Sequence, residues 1–199
     1  MRIWQLVRST IAVFLFVLPV QLHAQTAYNH AETGYRFPVY LGSTDTKEFF
    51  RGEIEQYPDK GLGTRVNYKN DILRCFADFY LYNLGLSRIP DGGLSDIVDQ
   101  NLLESESNIF EYERRGVYHN VRRITPPGIP TRLGPGSLLF RMSIFELEIG
   151  GEPRVSWLFV TGTRNHVLKL RYTCPAIHLK LGKDALDRLI ASFFDANVD

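Results

Sequence analysis

The stretch 137–175, SLLFRMSIFELEIGGEPRVSWLFVTGTRNHVLKLRYTCP, decides the fold. Leu138, Phe140, Met142 and Ile144 alternate with Leu139, Arg141, Ser143 and Phe145, and Gly150 and Gly151 supply the turn that reverses the chain. Val155, Trp157 and Phe159 precede a second turn at 161–165, and Leu168, Leu170 and Tyr172 follow it. Residues two apart share one face of a strand, so each run can bury a face. The stretch reads as an antiparallel meander of three strands at the centre of the fold.

Upstream, ILRCFADFYLYNLG (72–85) is apolar on both faces, with Cys75, Ala77, Phe79 and Leu81 against Phe76, Tyr80 and Tyr82. Such a strand is covered on two sides. A further strand is expected at 64–68, and 49–57 reads as a strand with helix as the competing reading. YRFPVYLG (35–42), interrupted by Pro38, suits an edge strand or extended lead-in. Residues 25–33 are polar and without periodicity, which predicts a frayed segment with His30 solvated. The glycines of Gly61-Leu62-Gly63-Thr64 feed a strand and not a helix N-terminus, which argues against a phosphate-cradling loop.

Two segments have helical spacing. Leu94, Val98, Leu102, Ser105, Ile109 and Tyr112 recur at three- and four-residue intervals over 94–115, with Asp96 and Asp99 early, Arg114 and Arg115 late and Gly116 just beyond. Glu104, Glu106, Glu111 and Glu113 read as the solvated face of this helix. A second helix at 183–196 has Leu186, Leu189, Ile190 and Phe193 on one side. Between them a strand at 117–124 leads into TPPGIPTRLGPGS (125–137), read as an irregular loop. Strands apolar on both faces need cover on both sides, and two amphipathic helices can give it. The expected class is α+β, a mainly antiparallel sheet covered by two helices as an α/β/α sandwich.

The N-terminus has the layout of a secretory signal peptide, with Arg2 and Arg8, an apolar run over 11–18, Pro19 and small Ala24. Cleavage after Ala24 leaves about 175 residues, a flexible start at 25–33 and one globular domain over 34–199. The apolar run falls short of the ~20 residues of a membrane span, and no cysteine near the cut could carry a lipid, so no stable anchor is expected. The expected address is the periplasm or the exterior. Subtracting Arg2 and Arg8 from 23 basic residues leaves 21 against 22 acidic ones, a net charge of −1. Such a chain has no global field for nucleic acid.

In an oxidising compartment a disulfide between Cys75 and Cys174 is permitted. The thiols meet if their strands are antiparallel neighbours, and lie a strand length apart as buried free thiols if the strands are parallel. His30, His119, His166 and His178 have no partner at metal-ligand spacing, and no serine sits in Gly-x-Ser-x-Gly. No cofactor and no enzymatic set is expected. Lys169 and Arg171 share a strand face, with Arg164 and His166 at the adjoining hairpin, and the four suit an anion or an acidic partner. The competing and favoured reading pairs Arg171 with Asp78 as a structural ion pair.

The lead-in Tyr35-Arg36-Phe37-Pro38, the strand ending at Tyr68, the segment Ala77-Asp78-Phe79-Tyr80-Leu81-Tyr82, the middle helix, the late meander and the closing helix together resemble the PsbP/DcrB-like superfamily in order. The segments at Gly61, Tyr80 and Lys169 are also similar to those of a set of exported bacterial proteins. The resemblance implies an α/β/α sandwich that acts as an accessory or docking module, with no catalytic set to transfer. The expected function is an exported, soluble, non-catalytic binding or accessory protein of the bacterial envelope, with an envelope protein or a small ligand as its partner. The alternative is a small periplasmic hydrolase or ligand carrier with a pocket under 125–137.

Overall fold

The computed structural model describes residues 26–43, 47–134 and 138–198. The leader read at 1–24 lies outside them. Three long strands, β9 (Leu138–Ile149), β10 (Glu152–Thr163) and β11 (His166–Pro175), form the meander, and two-residue turns join them. In both turns the two central residues have positive φ, Gly150 at 58° and Gly151 at 78°, then Arg164 at 48° and Asn165 at 62°. That is the turn whose twist matches a hairpin, and glycine and asparagine enter it readily.

Before the meander come β1 (Tyr28–Asn29), β2 (Arg36–Phe37), β3 (Tyr40–Leu41), β4 (Phe49–Gln56), β5 (Thr64–Asn70), β6 (Cys75–Tyr82), β7 (His119–Arg123) and β8 (Ile129–Leu133). The large sheet runs β3-β4-β5-β6-β11-β10-β9-β7, antiparallel throughout, with β8 beside β7 on the same edge of β9. The last strand in sequence is thus central. It joins the two halves of the sheet through its pairing with β6.

Two helices cover opposite faces. On one, Ala185, Leu186, Leu189, Ile190 and Phe193 of α2 (Leu179–Asp195) pack with Trp157, Phe159, Leu170 and Tyr172. On the other, Val98, Leu102 and Ile109 of α1 (Asp96–Arg114) pack with Phe145, Leu158 and Val160. Successive residues of β10 divide between the two clusters, as alternation requires. The architecture is the α/β/α sandwich of α+β type that the apolar pattern implies. The Ser95 hydroxyl accepts from the Val98 N–H at the start of α1, and Gly116 lies at φ 71° just past its end.

Four readings are corrected. Residues 129–133 form β8 rather than irregular loop, and Pro130 fits because the strand lies at an edge where its missing N–H goes unneeded. Helix α2 begins at Leu179, four residues early, and Gly182 lets it pass the cysteines, since a Cβ there would lie 2.8 Å from Cys174 Sγ. His30 is buried, its Nδ1 2.9 Å from Thr33 Oγ1, because β1 pairs with β2 and folds the first described residues onto the sheet. Glu106 is also buried, at 4% exposure, one turn beyond Leu102 on the sheet-facing stripe of α1.

Candidate site between helix α1 and the open sheet face

Helix α1 lies over β7, β9 and β10 and leaves the same face of β5, β6 and β11 largely uncovered. Register sets the side chains of that face in rows. Arg65, Tyr80 and Lys169 form one row, and Asn67, Asp78 and Arg171 the next.

Asp78 and Arg171 are therefore cross-strand neighbours, yet they do not pair. Asp78 Oδ1 accepts from Arg65 Nε at 2.9 Å and from Asn67 Nδ2 at 2.9 Å, both on β5. Arg171 turns the other way. Its Nε donates to Ser156 Oγ at 3.2 Å, and its guanidinium lies 5.1 Å from the ring centre of Tyr118. The favoured Asp78–Arg171 pair is thus replaced by Asp78–Arg65, because β5 flanks Asp78 with a closer cation.

Lys169 has a different environment. Its Nζ lies 4.3 Å from the ring centre of Tyr80 and 5.4 Å from that of Tyr82. No carboxylate among the described residues forms an ion pair with it. Burial, and next the Arg171 guanidinium, draw its ammonium down to about 8, against a smaller pull upward from Glu104 and Asp78. Burial also raises the Tyr80 hydroxyl, with Asp78 adding to it, so that group stays a neutral donor.

Lys169 and Arg171 form part of the floor of a cleft of about 320 Å³ whose other walls include Tyr57, Tyr80, Tyr112 and Arg115. Glu111 also lines it but is held by Arg114. A second chamber of about 210 Å³ adjoins the first and shares Tyr57, Tyr80, Ser105, Asn108 and Lys169 with it. Residues 125–134 line neither chamber.

Arg164 and His166 do not join this site. His166 lies an odd number of residues from Lys169 and faces the other way, with Nε2 2.9 Å from Glu32 Oε2 and its ring 5.6 Å from that of His30. Arg164 donates to Thr33 O at 3.1 Å and Asn197 O at 3.3 Å, tying both ends of the described chain to the hairpin. The sequence pattern marked Tyr112 and Arg115 only as parts of the first helix, and Tyr57 not as a site residue. Tyr80 and Tyr82 were legible as one face of β6; the register that sets that face beside Lys169 was not. Among the described residues no group of three or more His, Cys, Asp or Glu could hold a metal ion.

Sulfur chemistry is resolved by topology. β6 and β11 are antiparallel neighbours, so Cys75 and Cys174 form a disulfide with their Cα atoms 4.3 Å apart.

The nine-stranded antiparallel sheet between two helices is a PsbP-like α+β fold. No family model and no curated protein matches the chain. Among solved structures it is similar to the solution structure of cyanobacterial PsbP (CyanoP) from Synechocystis sp. PCC 6803. The TM-score is 0.51 at 12% sequence identity, over 84% of this chain and 89% of that one. At that identity the likeness is one of fold.

Proposed function

We propose that the chain is an exported, non-catalytic binding or accessory module of the bacterial envelope that receives an anionic group of its partner in the cleft beside α1. One observation supports this above the rest: Lys169 stands half-buried between tyrosine rings, next to Arg171, with no carboxylate among the described residues paired to it. A desolvated ammonium lacking a counter-ion is costly, and an incoming anion supplies what the protein leaves out. A PsbP-like fold is compatible with an accessory, non-catalytic role. The leader-like N-terminus supports export.

The test is titration of the chain beginning at Gln25 with sodium acetate, sodium phosphate and a poly-glutamate peptide, followed by amide NMR. Saturable shifts confined to strand β11 and the second half of α1, and lost in Lys169→Met/Arg171→Met, are expected. Shifts spread evenly over surface lysines, or none at all, overturn the reading. Full-length chain recovered from the cytosolic fraction, with residues 1–24 intact, overturns the export part.

A further inference from the structure

The two chambers differ in chemistry. The first presents Lys169, Arg171 and Arg115. The second continues past Tyr80 and Lys169 to Tyr82, Leu62 and Leu84. Leu62 is 51% exposed and Leu84 41%, so neither leucine is used by the core, and both border one chamber. A single exposed leucine is ordinary, but two on the walls of one concavity are not scattered.

Leu84 is also held in a costly conformation. Its φ of 56° lies in the left-handed region that favours glycine, and its N–H is tied to Gly61 O at 2.8 Å. Strain of this kind persists where surrounding structure imposes it, and it collects at binding sites. A leucine kept there, beside Gly85, which already has φ 71°, aims an apolar side chain at the chamber from a turn that glycine would fill more easily. Glu104 stands exposed at the border of this second chamber, which disfavours an anion at that end. Polarity therefore runs in one direction along the trough.

We infer that the trough binds a small amphiphilic anion, its carboxylate or phosphate head between Lys169, Arg171 and Arg115 and its apolar body along Tyr82, Leu62 and Leu84. This rests on the anion-binding reading above and adds the ligand class. The first chamber, at about 320 Å³, already reaches the ~300–1,000 Å³ range in which pockets hold small molecules, and the second extends it. Lys169 belongs to both chambers, so it sits where head meets body.

The experiment is isothermal titration at pH 7 with decanoate and decyl phosphate, against butyrate, inorganic phosphate and decanol, all below their micellar concentrations. Either decyl anion should bind at least about tenfold tighter than its short counterpart and than decanol, since buried methylenes add affinity step by step. Which head binds more tightly identifies the source, an acyl carboxylate or a phosphorylated lipid fragment. Equal affinity for long and short anions overturns the amphiphile and leaves anion binding standing. Equal affinity for decanol and decanoate overturns the anionic head, and no binding by any anion removes both readings.

Leu84→Gly relieves the left-handed backbone and removes the apolar wall, so it should fold at least as well as wild type. It should lose the chain-length dependence while still binding butyrate or phosphate. Retained chain-length selectivity in that variant contradicts the assignment of Leu84. Raising the pH from 7 to 9 should weaken decanoate binding by up to about tenfold as Lys169 gives up its proton, and Lys169→Arg should abolish that fall.

Discussion

Lys169 costs the folded chain stability. Burial draws its ammonium to about 8, whereas the unfolded chain keeps an ordinary lysine near ~10.4. Between these values the unfolded state binds more protons than the folded state, so stability rises with pH across that window. Below pH 8 the full cost is present. Lys169→Met should therefore raise stability at pH 7 by roughly 1–2 kcal/mol, a figure reduced for the side chain's partial exposure, while losing anion binding. Calorimetric melts at pH 7 and pH 10.5 check this: the gain should shrink at the higher pH, and a variant that melts below wild type at pH 7 contradicts it. That outcome, stability gained as binding is lost, would mark Lys169 as a functional side chain and not a structural one. At this scale much was legible. Period-two spacing puts Lys169 and Arg171 on one face, and the same rule puts His166 on the other. What spacing could not supply was the partner of Asp78, since that depends on which strand lies on its far side.

Helix α1 was legible as an apolar stripe with its C-terminal end marked by Gly116, but neither its Ser95 cap nor the partners of its carboxylates were. Glu106 lies on the stripe by spacing, but a reading that counts every charge as outward sends it to solvent. Its partners arrive from elsewhere in the chain: Arg123 Nη1 on β7 donates to it at 2.6 Å, and the buried Ser143 hydroxyl on β9 donates to its other oxygen. Asp99 adds a two-bond contact to Arg141 on β9, at 2.8 and 3.2 Å. These contacts hold α1 over the β9 edge and so determine how much of β11 stays open. Glu106→Gln keeps the shape and removes the charge, leaving Arg123 without its counter-ion. It should lower unfolding free energy by about 2–3 kcal/mol. Urea titration should show an earlier midpoint with unchanged slope. A midpoint equal to that of wild type counts against the clamp.

Across the whole molecule, sheet order settled what composition left open. The apolar runs specify strands and covering helices, but no local pattern states that β11 inserts between β10 and β6. Pro126, Pro127 and Pro130 likewise suggest loop, until an edge position makes Pro130 acceptable in a strand. The disulfide follows from sheet order and spans 99 residues. Closing so long a loop should stabilise by roughly 4–5 kcal/mol in the chain-entropy model. Cys75→Ala/Cys174→Ala should lower the melting temperature by about 8–20 °C. A melt within a degree of wild type shows that the unfolded chain gains little from the cut.

Strand β6 is made early in the chain, and its outer edge stays unpaired until residues 166–175 exist to fill it. Folding from first residue to last cannot therefore proceed as a growing sheet. In such an order the first half, β3 to β6, waits with the unpaired N–H and C=O groups of β6 exposed, an edge that invites misassociation when the wait is long. The β6–β11 seam also holds the two cysteines, so the native strand pairing and the bond bring the same two segments of chain together. The covalent bond serves as a record of completed folding: a chain truncated before His166 can acquire neither the pairing nor the bond, and both losses can be read on a single non-reducing gel.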